Sequence, residues 1–103
     1  MNQKAIFRDG EGYAAGAALA SVLFERQRQD AKWGQQDHDP FTYLAILGEE
    51  YGELAQAALH LKFGGHAAGN LRIEAVHVAA VALAIVECID RGIWQWPEEP
   101  TNV

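Results

Sequence analysis

The sequence is short of several things that would point to well-known classes of protein. It has one cysteine, Cys88, so no intrachain disulfide can form, and the residue reads as a small buried apolar group. Basic residues are few: 8 Lys and Arg against 14 Asp and Glu, for a formal net charge of -6. No Lys/Arg cluster occurs, which argues against gripping duplex DNA or RNA through its phosphates. Long apolar runs are also missing. The longest, from Ala75 to Val86, is interrupted by His77 and falls short of the roughly 20 residues that a membrane helix needs. The first ten residues mix Lys4, Arg8 and Asp9 with a few apolar side chains and have no signal-peptide core. A cytoplasmic protein without a membrane partner is the expectation. Large apolar side chains are sparse too. Half of the 103 residues are apolar, but alanine supplies much of that half. A short Ala-rich chain buries little area alone, so a single domain that completes its core as a homo-oligomer, a dimer or a tetramer, is expected.

Proline and glycine divide the rest into three helical segments, with no convincing strand alternation and no internal repeat. The first spans about Gly12 to Lys32, with Leu19, Val22 and Leu23 as a packing stripe, followed by polar residues from Glu25 to Asp30. Asp39 and Pro40 have the form of an N-cap and a first-turn proline. The second segment runs from Pro40 to about Phe63, with Leu44, Leu47, Leu54 and Leu61 recurring on one side, and stops at Gly64-Gly65. The third starts between His66 and Asn70 and reaches Arg91, with Gly92 as its stop. The tail after it holds Trp94, Trp96, Pro97 and Pro100, and its tryptophans are expected to pack back on the body or on a neighbour. The fold class is all-α, with a central antiparallel helical hairpin and a core over about residues 12–91.

The second segment places Glu49, Glu50 and Glu53 in an otherwise apolar helix. Glu53 shares a face with both of the others, and like charges at that spacing cost about 0.2–0.5 kcal/mol per pair. No basic residue nearby relieves them; the next Lys downstream is Lys62. Carboxylates beside an apolar surface suit a site where a cation fills the gap. On the third segment Glu74 and His77 lie one turn apart, an acid and an imidazole suited to metal coordination. If the two helices run antiparallel around a tight turn, Glu50 meets His77 and Glu53 meets Glu74, because both pairs share a midpoint between Phe63 and Gly64. A turn reaching to Asn70 would slip the register by up to roughly 9 Å. Glu87 lies about 20 Å along the axis from Glu74 and, with Asp90, reads as end-of-helix solvation or a subunit contact. Asp37 and His38 read as a solvated loop.

This pattern resembles the MazG-like nucleotide pyrophosphohydrolases of the all-α NTP pyrophosphatase superfamily, in particular their small bacterial and phage members. That family carries an E-E-x-x-E run on one helix and an E-x-x-D pair on the next. The run stands here as Glu49-Glu50-Tyr51-Gly52-Glu53, and the pair as Glu74-Ala75-Val76-His77, with His77 where the family most often has Asp. The stretch Glu25-Arg26-Gln27-Arg28-Gln29, followed by Lys32-Trp33-Gly34-Gln35, is also similar to the segment preceding the acidic helix. The resemblance implies a Mg²⁺-dependent (or Mn²⁺-dependent) hydrolase that converts a nucleoside triphosphate to a monophosphate and pyrophosphate. It implies Glu50, Glu53 and Glu74 as metal ligands, with His77 as a fourth. Glu49 is then the candidate general base, while Lys62 and Arg72 are candidates for phosphate contact. Trp33, with Lys32 beside it, is a candidate for stacking on the base. Two other readings stay open: a di-iron carboxylate bundle, whose Glu-x-x-His grammar Glu74 and His77 also fit, and a non-catalytic helical dimerisation module.

Overall fold

The computed structural model describes residues 11–95, with side chains from Ala14 onward. Among the described residues are three α-helices and a single 3₁₀ turn: α1 is Glu11–Trp33, α2 is Pro40–Phe63, and α3 is Leu71–Asp90, preceded by the 3₁₀ turn Ala68–Asn70. There is no strand among the described residues, and no helix there is long and apolar enough to cross a membrane. The expected contribution of Trp96, Pro97 and Pro100 lies outside the described residues.

The ends of the helices follow local chemistry. Asp39 caps α2: its carboxylate accepts from the Thr42 backbone N–H at 2.9 Å and from the Thr42 hydroxyl at 2.8 Å, and Pro40 opens the first turn. Gly64 and Gly65 end the helix with φ of 96° and 149°, conformations that L side chains rarely adopt. Gly65 also passes so close to the His60 ring that a Cβ there would overlap it. His60 closes the connection by accepting the Ala67 N–H on Nδ1 at 3.1 Å. The third helix therefore begins at Leu71, one residue past the expected range of His66 to Asn70, because the intervening residues form a hydrogen-bonded turn. Gly92, with φ of 71°, stops α3.

Helix α3 is the centre of the described fold. It packs against both α1 and α2, while α1 and α2 do not pack on each other. What lets it sit between them is small side chains: Ala80, Val81, Ala84 and Cys88 are buried on α3, and Ala57 is fully buried on α2. Tyr43 is the one large residue in the core. It lies against Ala84 and Cys88, with Ile85 and Trp94 packed around it, and donates its hydroxyl to the Gln36 carbonyl at 2.7 Å. Trp94 packs edge-on to Tyr43 and donates its indole N–H to the His38 carbonyl at 2.8 Å, so that part of the tail does return to the body.

The structure corrects several of the sequence expectations. Leu19 and Leu23 are exposed rather than packed, since among the described residues α1 packs only on α3. Leu44 and Leu61 are likewise exposed, at the ends of the α2 stripe. The loop of Asp37 and His38 is not simply solvated: Asp37 takes a 2.7 Å ion pair from Arg91, and His38 holds Trp94. Glu87 is not end-of-helix solvation, because it pairs with Arg26 of α1 at 2.6 Å.

Candidate metal centre

Four side chains converge where α2 meets α3. Glu50 and Glu53 come from α2, Glu74 and His77 from α3, and one donor atom from each lies within 4.8 Å of the others. The register is the one the shared midpoint predicts despite the longer turn. His77 Nδ1 stands 3.7 Å from Glu50 Oε2 and 3.6 Å from Glu74 Oε2, and the Glu53 and Glu74 carboxyls adjoin. The 3₁₀ turn absorbs the extra residues without sliding one helix along the other.

The electrostatics of this cluster are costly without a cation. Burial pushes the Glu50 carboxyl above its usual value, and the Glu53 carboxylate pushes it further, with His77 opposing. Glu74 is raised for the same reasons, burial first and Glu53 second. Glu50 Oε2 and Glu74 Oε2 are buried oxygens without a hydrogen-bond partner. Buried acceptors left unpaired cost about 1–3 kcal/mol each, so this geometry suits a bound cation that would take up the free lone pairs.

The sign of the resulting pH dependence is fixed by the direction of these shifts. An acid raised in the fold favours the folded state while protonated, and loses that contribution as pH rises from about 4.5, its unfolded value, through the higher folded value. Glu25, Asp37 and Asp39 are lowered and act in the opposite sense, but only as pH falls below their unfolded values. The protein freed of metal by a chelator should therefore lose thermal stability as pH rises above about 4.5. At pH 7 a divalent cation at 100 times its Kd should restore about 2.7 kcal/mol, or roughly 10 °C in Tm. Calorimetric melting with and without metal checks both, and a Tm indifferent to divalent cations would count against the cation site.

Beside the cluster opens a cleft of about 570 Å³, walled by residues of all three helices and the loop after α1. Glu50, Glu53 and His77 line it, together with Lys32, Trp33, Gln35 and Gln36. The Lys32 ammonium sits 4.7 Å from the centre of the Trp33 ring. A second, more open cleft of about 480 Å³ is also lined by His77, together with Ser21, Arg28 and Arg72. Arg72 donates to the Ser21 hydroxyl at 2.9 Å.

Compared with protein-family models, with curated proteins and with solved structures, the chain matches none.

Of the residues singled out from the sequence, the structure gathers Glu50, Glu53, Glu74 and His77 into one cluster, sets Lys32 and Trp33 on the adjoining cleft, and puts Arg72 on the second. Glu49 is exposed and lines neither cleft, because one helical step turns it away from Glu50. Lys62 also lies outside both clefts, with its ammonium 5.3 Å from the Phe63 ring. The residues that sequence reasoning missed are Glu25 and Arg26, both buried on α1. Glu25 accepts two hydrogen bonds from Arg28, at 2.8 and 2.7 Å, and one from Gln29 at 3.1 Å, and lies 3.7 Å from His77 Nε2. The one available signal was their spacing, since Arg28 and Gln29 stand at i+3 and i+4 from Glu25.

Proposed function

We propose that this protein is a divalent-metal-dependent nucleoside triphosphate pyrophosphohydrolase, as the resemblance to the MazG-like enzymes implies. The observation that carries the reading is the convergence of Glu50, Glu53, Glu74 and His77, three of which line a cleft that also holds an exposed tryptophan and a lysine. Mg²⁺ or Mn²⁺ bound there would neutralise a polyphosphate, position it and lower the pKa of an attacking water. In this reading Glu50, Glu53, Glu74 and His77 hold the cation. Trp33 offers a ring face to a base, and Lys32 brings a positive charge to the same cleft. Arg72, on the second cleft, is available to phosphate oxygens that extend past His77. Water attack on an α–β phosphoanhydride breaks that bond and yields a nucleoside monophosphate and pyrophosphate. Glu49 and Lys62, which line neither cleft, are given no role in this reading.

A panel of ribo- and deoxynucleoside triphosphates, incubated with and without Mg²⁺ or Mn²⁺, tests the proposal. Metal-dependent release of monophosphate and pyrophosphate is expected. Absence of turnover on every triphosphate would remove the hydrolase reading, and bound iron in the same preparation would favour the di-iron alternative.

The reading includes a homo-oligomer in which the α2–α3 pair acts as a central hairpin. Leu19, Leu23 and Phe24 of α1 and Ile73 of α3 are exposed apolar side chains on helices with few large residues in their shared core. Such surface is more than scattered single residues and suits burial against another copy. Sedimentation velocity at micromolar concentration should show an assembly larger than one chain, and a strictly monomeric boundary would argue against it.

A further inference from the structure

His77 has two ring nitrogens, and the structure sets different partners before each. Nδ1 faces the cluster, 3.7 Å from Glu50 Oε2 and 3.6 Å from Glu74 Oε2. Nε2 faces away from it, toward Glu25 Oε2 at 3.7 Å. Glu25 comes from α1, 52 residues earlier in the chain, and is the only carboxylate on that side of the ring among the described ion pairs. Its side chain is 10% exposed. Three hydrogen bonds from Arg28 and Gln29 fix it in place. A carboxyl group that already accepts from Arg28 and Gln29 is set to accept from the ring as well, which favours the tautomer that carries its proton on Nε2. That tautomer leaves the Nδ1 lone pair directed at the two unpartnered carboxylate oxygens of Glu50 and Glu74.

We propose that Glu25 is a positioning residue that orients His77 as a nitrogen ligand, and that the resulting three-carboxylate, one-imidazole set selects Mn²⁺ over Mg²⁺. The inference rests on the four-residue cluster being a metal site. The chemistry of the donors carries it. Mg²⁺ demands oxygen ligands in near-ideal octahedral geometry, whereas imidazole suits first-row transition ions, and Mn²⁺ accepts both carboxylate and imidazole. A carboxylate behind the ligating histidine raises the basicity of the ring and fixes its direction, and loss of such a partner typically costs 10–100-fold in metal affinity. Mg²⁺ gains little from an oriented imidazole, so the effect of Glu25 falls on one metal and spares the other.

The test uses the full chain, freed of metal, titrated calorimetrically with Mn²⁺ and separately with Mg²⁺. Mn²⁺ should bind at least tenfold more tightly, and pulsed electron paramagnetic resonance of the Mn²⁺ form should show coupling to a directly bound ¹⁴N. In Glu25→Gln, Mn²⁺ affinity should fall about tenfold or more while Mg²⁺ affinity moves by less than threefold. Loss of a nearby negative charge alone would weaken both ions together, and that result would overturn the positioning role. In His77→Asp the ¹⁴N coupling should vanish and the preference for Mn²⁺ should collapse, and adding Glu25→Gln to it should change neither affinity further. Mn²⁺ binding without ¹⁴N coupling in the unmodified protein would overturn the inference while leaving the metal site standing. Binding of neither ion would overturn the metal site itself. Should Glu25→Gln fail to fold, Glu25→Asp takes its place, since it keeps the charge but withdraws the carboxyl group from Nε2. Mn²⁺ affinity should then fall while Mg²⁺ affinity stays, and an unchanged Mn²⁺ affinity would overturn the positioning role.

Discussion

Replacing Glu50 by Gln should reduce triphosphate turnover about 100-fold or more while leaving the helical circular dichroism unchanged. In the proposed metal site the loss of Glu50 should do most, because it faces His77 across the two helices and carries one of the two buried oxygens without a partner. Removing its charge takes a formal ligand from the cation and loosens the hold on the polyphosphate, and a loss of about 3 kcal/mol in transition-state stabilisation corresponds to roughly 150-fold in rate. The same change should make the metal-free protein slightly more stable at neutral pH. Burial and Glu53 both oppose the ionised form of Glu50, and Gln removes that opposition. Lower activity together with higher metal-free stability is the signature of a residue placed for function rather than for the fold. Turnover assays and urea unfolding on the same preparation give both numbers. Retained turnover would place the chemistry elsewhere.

The largest effect on stability is expected at Arg26. Its guanidinium is buried, and it donates to Glu87 Oε1 at 2.6 Å, to Asp30 at 3.0 Å and to Gln29 at 3.0 Å. Hydrogen bonds to charged groups contribute about 1.5–3 kcal/mol each, and breaking a buried pair costs more than that. Glu87 and Asp30 are themselves partly exposed, so water rehydrates them when the partner goes, and the cost is correspondingly reduced. Arg26→Met keeps the apolar stem and removes the charge, and it should destabilise the protein by about 2 kcal/mol in urea unfolding. A double-mutant cycle with Glu87→Gln should assign a measurable share of that to the bond between α1 and α3. A change under about 0.5 kcal/mol would mean that the Arg26–Glu87 pair adds little to the packing and the Arg72–Ser21 hydrogen bond that also join α1 to α3.

Much of the cluster is legible in the amino-acid sequence, and the reason is geometric. Glu50, Glu53, Glu74 and His77 are separated by single helical turns within α2 and α3, so periodicity places each pair on one face. The glycines at 64 and 65 then fix where the chain reverses. The length of the turn after them is what periodicity leaves open, and a hydrogen-bonded 3₁₀ segment resolves it in favour of the facing pairs. Glu25 and Arg26 are not legible. A run such as Glu25 to Asp30 looks solvated because its polar side chains can satisfy one another along the helix, and nothing local says that α3 will cover them. Their partners, His77 and Glu87, lie 52 and 61 residues away. The central place of α3 is hidden for a related reason. Alanine faces bury well but carry little periodic signal, so Ala57, Ala80 and Ala84 give no hint of which helix sits between the other two. Leu19 and Leu23 mislead in the opposite way, since an apolar stripe states that something covers it without stating what.

Because α1 leans on α3 and never on α2, the described fold has a seam. The α2–α3 pair is closed by a loop of a few residues, whereas docking α1 onto α3 closes a span of about 60, an ordering that loop entropy makes later and more easily undone. Amide hydrogen exchange should register this as two levels of protection, with α1 opening as a unit while α2 and α3 stay shut. Each such opening would carry Glu25 and Arg28 away from His77 without disturbing Glu50, Glu53 or Glu74, so the grip on a cation and the grip on its histidine would relax on different clocks.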